Sequence, residues 1–337
     1  MLLDGIVAAI MSAGAVPPSG AVPPSPPPSA ASSAPALGGD DAQTLITAVD
    51  AAQRMTVDVF VNGSGPYNFA VDTGADRTAV ARSLSDRLAL PKGKAATMHS
   101  MGGTGQIGTA MISTLQVGTN EVRDVRAPVL ADQHIGVSGL LGVDSLADQR
   151  IEMDFIAGRM KIYPSRASRQ HSEPGTITVT ARRKYGQLIL VDADIDGEKV
   201  NVILDSGAQI SIGNSVLRRR LTREGKQGGA VQPITLVDVA GRTMQAEMAV
   251  LPRIRIGGLH VEGLSIAWAD AYPFKLFGMS RKPAMLLGMD LLRSFERVSV
   301  DFGNRKVRFL IRESGQRGLA SRDEQHEEKH PVKDVAG

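Results

Sequence analysis

The sequence predicts an all-β protein made of two copies of one unit. Three observations predict it. Short alternating apolar segments end on Asn-Gly or Asp-Gly turns, the same motifs occur twice in the same order, and each copy closes on a hairpin. The first copy opens with Val57-Asp58-Val59-Phe60-Val61-Asn62-Gly63, the second with Val191-Asp192-Ala193-Asp194-Ile195-Asp196-Gly197. Apolar and polar residues alternate as a half-buried strand requires, and Asn-Gly and Asp-Gly are strong hairpin signals.

A second strand follows each turn, Tyr67 to Val71 and then Val200 to Leu204. Each strand runs into an acidic turn, Asp72-Thr73-Gly74-Ala75 and Asp205-Ser206-Gly207-Ala208. Short helical stretches come next, Ser83 to Leu90 and Ser215 to Leu221. Later each copy carries Leu-Leu-Gly-x-Asp, as Leu140-Leu141-Gly142-Val143-Asp144 and Leu286-Leu287-Gly288-Met289-Asp290. The closing hairpins are Ile151 to Tyr163 around Ala157-Gly158 and Val298 to Leu310 around Gly303-Asn304. A lone Asp-[Thr/Ser]-Gly arises readily by chance, but this series of matched features in one order does not. The second copy is longer. Its extra residues are expected near Asp270 to Pro283, which reads as loop from Pro273, Gly278 and Pro283.

A chain of 337 residues, 42% apolar, suits two ordinary domains. The expected divisions are 1–40, 41–168, 169–312 and 313–337. The last is charged, aperiodic and expected to be disordered. In the first, the apolar run Gly5 to Val16 is too short to span a bilayer, and a Pro/Ser/Ala-rich linker follows it, Pro17 to Ala36. The run reads either as a disordered tail or as the apolar part of a signal peptide with Ala13-Gly14-Ala15 near its cleavage region, although basic residues at its start are missing. The second reading puts the protein in the periplasm or outside the cell, the first in the cytoplasm. The chain has no cysteine, which excludes disulfides and cysteine-based metal sites. A net charge of +3 with 4% aromatics is not the pattern of a nucleic-acid binder.

The two acidic turns carry the chemistry. Two such loops can face one another so that both carboxylates hold one water. Like charges about 3 Å apart do not both ionise easily, so one aspartate is base and the other acid. That is the arrangement of an aspartic peptidase. A turn aspartate that caps its own loop is the alternative for a single copy, and the second copy argues against it. Ala75 and Ala208 follow the glycines where a hydroxyl could stabilise the charged form, so the pair should hold its proton to higher pH than with a hydroxyl there. Thr97 to Met111, with Met101-Gly102-Gly103-Thr104-Gly105 at its centre, reads as a mobile hairpin flap, and Val239-Ala240-Gly241-Arg242 occupies the matching place.

Val71-Asp72-Thr73-Gly74-Ala75-Asp76-Arg77-Thr78 resembles the active-site segment of the retropepsin-like aspartic peptidases, and Leu286 to Phe295 is similar to their second apolar-Gly segment. The resemblance covers roughly Arg54 to Ile311 and is nearer to the bacterial branch with two fused lobes. It implies two closed β lobes in pseudo-two-fold arrangement, each with a short helix, on a monomeric chain. It implies that Asp72 and Asp205 are the catalytic pair, that Thr73 and Ser206 bond across the interface, and that Gly74 and Gly207 leave room for the turn and the water. Leu140, Leu141, Gly142, Leu286, Leu287 and Gly288 would buttress the loops. Asp76 matches a contact to substrate backbone, whereas the second copy has Gln209, so an asymmetric substrate is expected. Met101, Gly102, Gly103, Ala240 and Gly241 would meet substrate from the flaps. The arginine that usually follows the apolar pair and glycine is replaced by Val143 and Met289, so its ion pair is lost. The implied partner is an extended protein or peptide, with no cofactor and no metal.

Other motifs carry less. Gly103-Thr104-Gly105-Gln106-Ile107-Gly108 fits a dinucleotide-binding pattern, but strand-like Thr109 to Val117 follows where a helix is needed, so no nucleotide is expected. His326-Glu327-Glu328-Lys329-His330 fits a zinc-peptidase pattern but lies in the charged tail before Pro331. Arg218-Arg219-Arg220 reads as a solvated helix face. The expected function is an endopeptidase. The alternatives are a module that grips extended peptides without cutting them, and a self-processing protein that acts on its own N-terminal linker.

Overall fold

A computed structural model describes residues 5–7, 11–13, 43–50, 53–146, 149–165, 173–190, 192–223, 228–312 and 320–322. Strands dominate, and the helices among the described residues are short. The expected linker, the zinc-like stretch and most of the charged tail lie outside the described residues. So does much of the N-terminal apolar run, of which Gly5–Val7 and Met11–Ala13 are described, both as strands. Three tail residues differ from expectation. Ala320–Arg322 forms a strand antiparallel to Leu259, His260 and Val261. An exposed strand edge offers unpaired N–H and C=O groups, which the backbone of a polar segment satisfies as well as that of an apolar one.

The first lobe is a closed ring of strands. Gly103–Val117 pairs with Asn120–Leu130, which pairs with Ala79–Ala81, then Gly139–Leu141, then Ser64–Val71, then Met55–Val61, which returns to Gly103–Val117. The second lobe repeats it. Thr243–Ile256 and Leu259–Trp268 pair, followed by Ser211–Gly213, Ala284–Leu287 and Asn201–Leu204, and Ala193–Ile195 closes the ring on Thr243–Ile256. Closure pairs the ring strands on both sides over part of their length, and inward residues fill the interior. Val57, Val59, Phe69, Ile112 and Leu115 are buried in one lobe, and Ile195, Val202, Ile254, Leu264 and Ile266 in the other.

The lobes share an antiparallel sheet. Its order is Gln43–Ile46, Arg159–Pro164, Gln149–Asp154, Arg297–Asp301, Lys306–Leu310 and Thr176–Lys184. The central partners Met153↔Val298 and Ile151↔Val300 come from opposite lobes, and all four side chains are buried. The two expected closing hairpins are thus the seam of the molecule, and the sheet joins the copies as a covalent pseudo-dimer.

The helices Arg82–Arg87 and Ser215–Arg223 fall where the sequence places them. One segment does not fit its reading. The stretch Asp270 to Pro283 contains the helix Tyr272–Leu276, with Pro273 in its first turn. Proline breaks a helix interior but suits a first turn, where its missing N–H costs nothing. The counterpart in the first lobe is the helix Asp132–Ile135.

Candidate active site

Each acidic turn is positioned by two parallel strands. Gly139–Leu141 runs parallel to Ser64–Val71 with Leu141 beside Val71, and Ala284–Leu287 runs parallel to Asn201–Leu204 with Leu287 beside Leu204. The backbone then ties strand to turn. The Asp72 N–H donates to the Leu141 carbonyl at 3.0 Å, and the Asp205 N–H donates to the Leu287 carbonyl at 3.0 Å. Just beyond, the Val143 N–H reaches the Ala75 carbonyl and the Met289 N–H reaches that of Ala208. Gly142 and Gly288 permit this crossing. A methyl group on either would collide with backbone of the opposing segment, at Arg77 and Ile210 respectively. Leu140, Leu141, Leu286 and Leu287 are all buried.

The two turns lock to each other. The Thr73 N–H donates to Ser206 Oγ at 3.0 Å, and the Ser206 N–H donates to Thr73 Oγ1 at 2.9 Å. Each hydroxyl donates onward, Thr73 to the Leu204 carbonyl and Ser206 to the Val71 carbonyl. Every polar group in this cross is buried and satisfied, so the loops are held at a fixed separation.

Asp72 and Asp205 are both fully buried. Asp72 Oδ1 accepts from the Gly74 N–H at 2.9 Å, and Asp205 Oδ1 accepts from the Gly207 and Ala208 N–H groups at 3.0 and 3.1 Å. Both Oδ2 atoms are buried and accept no hydrogen bond from the described residues. Each carboxylate abuts the glycine of the opposite turn. A methyl group on Gly74 would overlap Asp205, and one on Gly207 would overlap Asp72. Burial pushes the Asp72 carboxyl up to about 7, against the downward pull of the Gly74 N–H and the Arg54 charge. Burial, then the neighbouring Asp72 charge, pushes Asp205 well above the ordinary range. Two adjacent buried carboxyls titrate as a pair. Ala75 and Ala208 are buried and bring no hydroxyl.

Several residues at the site escape a reading of the sequence alone. Asp144 accepts from the Thr78 N–H and hydroxyl, both at 2.8 Å, and Thr78 Oγ1 accepts from the Gly142 N–H. Asp290 likewise accepts from the Ser211 N–H and hydroxyl, and Ser211 Oγ accepts from the Gly288 N–H. These carboxylates follow Val143 and Met289 in sequence and clamp the chain a few residues past each acidic turn. Burial raises both their carboxyls. A signal for them exists: the aspartate of Leu-Leu-Gly-x-Asp recurs in both copies, as does a hydroxyl residue at Thr78 and Ser211. Gln187 has no such signal. It is buried, and its side-chain amide donates to the Gly74 carbonyl from the second lobe.

The two stretches expected to form flaps are built from paired long strands. Lys92–Ser100 and Gly103–Val117 form the first hairpin, Gly228–Asp238 and Thr243–Ile256 the second. Met101 is buried in an apolar cluster with second-lobe residues that include Leu236 and Phe274. Gly102 and Gly103 lie against Arg242 of the other flap, and Gly241 lies against His134. Ala240 is half-buried in the second flap turn, and Asp76 is half-buried beside its acidic turn. The glycines of the dinucleotide-like pattern belong to a strand, not to a turn before a helix.

Two family models match the chain. Residues 57–148 match the family described as "gag-polyprotein putative aspartyl protease", and residues 191–291 match "Aspartyl protease". The chain carries two retropepsin-like aspartyl protease domains in tandem. Each match contains one Asp-[Thr/Ser]-Gly turn and one Leu-Leu-Gly segment, so the aspartyl protease units coincide with the two closed lobes. No curated protein matches the chain.

Proposed function

We propose that the chain is an aspartic endopeptidase that hydrolyses protein or peptide bonds with one water held between Asp72 and Asp205. The observation that carries this reading is the pair of buried carboxylates on loops locked by Thr73 and Ser206. Each has one oxygen bonded by its own turn and the other bare.

The pair starts with one proton. The ionised carboxylate takes a proton from the water as its oxygen attacks the substrate carbonyl carbon. The protonated carboxyl gives its proton to the carbonyl oxygen, which leaves a neutral tetrahedral diol. The C–N bond then breaks, the nitrogen takes the proton held by the first carboxyl, and one diol proton returns to the other. The products are a carboxylic acid and an amine, and the pair again holds one proton. No covalent intermediate forms. General acid–base catalysis of this kind contributes roughly 10²–10⁴-fold. Raised pKa values keep the shared proton in place to near-neutral pH.

An extended substrate is supported by the flap edges. Gly5–Val7 pairs parallel with Thr97, Met98 and His99, and Met11–Ala13 pairs antiparallel with Asp238, Val237 and Leu236. An extended chain that crosses a pseudo-two-fold meets the two equivalent flap strands in opposite senses. Main-chain pairing of this kind is one general route to peptide recognition. The same pairing favours a second reading, self-processing, in which the N-terminal segment is itself a target. An intact chain after prolonged incubation would speak against that reading.

The test is incubation with a peptide library, comparing the intact protein with Asp72→Asn. Cleavage by the first alone supports the proposal. Binding without turnover by both would instead indicate a peptide-gripping module.

A further inference from the structure

The two flaps are joined to each other by side chains that the catalytic pair does not use. Asp238 ends one flap strand and is buried. Its Oδ1 accepts from the Ala240 and Arg242 N–H groups of its own turn, both at 2.9 Å. Its Oδ2 accepts from the Gly102 N–H of the opposite flap, also at 2.9 Å. Arg242 crosses in the same direction, and its Nη2 donates to the Thr104 carbonyl at 2.5 Å.

The glycines of the first flap form the seat for this arginine. A methyl group on Gly102 would come within 3.0 Å of Arg242 Cβ, one on Gly103 within 3.1 Å of Nη1, and one on Gly105 would overlap Nη2. The Gly102-Gly103-Thr104-Gly105 run therefore lets a guanidinium lie along the backbone. Beside it, the Tyr272 N–H donates to the Met101 carbonyl at 2.8 Å, and the Tyr272 ring stacks on His99 at 5.5 Å. The pairing is one-sided, because side chains of the second flap hold the backbone of the first.

We propose that Arg242 and Asp238 form a latch that holds the first flap shut across the cleft, which makes them positioning residues for substrate. The latch borders a cavity of about 520 Å³ lined in part by Met98, Gly105, Ile107, Val239 and Arg242. A substrate that enters the cleft must wait for the Arg242–Thr104 and Asp238–Gly102 bonds to break, and is enclosed when they reform. Arg242 is the better probe, because Asp238 also supports its own turn.

The consequence for catalysis rests on the peptidase reading above, but the first readout does not need turnover. Amide hydrogen exchange is followed in the intact protein, Arg242→Ala and Arg242→Lys. In Arg242→Ala the Gly102 N–H should exchange at least about fivefold faster, the size expected for one lost charge-assisted bond at a partly exposed site. The Gly74 and Gly207 N–H groups of the catalytic turns should keep their original rates. Arg242→Lys, which retains one donor for the Thr104 carbonyl, should recover part of the protection. With a peptide substrate, Arg242→Ala should raise KM more than it changes kcat. Unchanged Gly102 exchange in Arg242→Ala would overturn the latch. So would equal acceleration at Gly102, Gly74 and Gly207, which would mean general loosening.

Discussion

Replacing Asp72 by Asn should make the fold more stable at neutral pH while it abolishes cleavage. The Asp72 carboxyl is held at about 7 against an ordinary 3.8, chiefly by burial. Ionising it in place therefore costs about 4 kcal/mol at a conversion of 1.36 kcal/mol per pH unit. Because its folded value lies above its unfolded one, its stabilising contribution is complete below about 3.8 and is lost as pH rises through about 7. Between pH 5 and pH 8 the loss is about 3 kcal/mol. Asparagine keeps an oxygen to accept the Gly74 N–H and has nothing to ionise. Asp205, relieved of a neighbouring charge, shifts the balance in the same direction. The assay is denaturant unfolding from pH 5 to pH 8, followed by fluorescence of the single tryptophan, Trp268, which is buried in the second lobe. The advantage of Asp72→Asn over the original protein should widen with pH. A constant difference across that range would refute the buried, raised carboxyl.

Other outcomes follow from the same geometry. Ala75→Ser or Ala208→Ser should move the acid limb of the pH–activity profile downward, since a hydroxyl donor favours the charged carboxylate; unchanged profiles in both would remove that argument. Gly74→Ala should abolish activity, because its methyl would overlap the Asp205 carboxylate, and peptidase assays on the folded variant would check it. Sedimentation at assay concentration should find an active monomer, because each lobe supplies one aspartate; activity that vanished on dilution along with a dimer would count against it.

Much of the fold is legible in the sequence because backbone demands leave marks there. Asn62-Gly63 and Asp196-Gly197 announce turns, and Gly74, Gly142, Gly207 and Gly288 mark places where chains pass too closely for a side chain. The paired aspartates are legible because the chain states them twice. What joins distant segments is not. Nothing local in Gln187 indicates that it bonds Gly74, and the Gly102–Gly105 run looks mobile until Arg242 is seen lying on it. The helix at Tyr272–Leu276 hides behind Pro273, because a proline in sequence signals a helix start and a helix break alike. Asp144 and Asp290 stand in the repeat without a visible role, since their partners Thr78 and Ser211 are brought to them only by the fold.

In the proposed mechanism one shared water makes the two aspartates a single functional unit, so their losses should not add. The direct measurement is kcat/KM for a cleavable peptide in Asp72→Asn, Asp205→Asn and the double variant, each shown to be folded. Each single variant should fall on the order of a hundredfold or more, and the double variant should be no worse than either single one. A single variant with near-original activity, or losses that multiply in the double variant, would contradict a water held by both carboxylates.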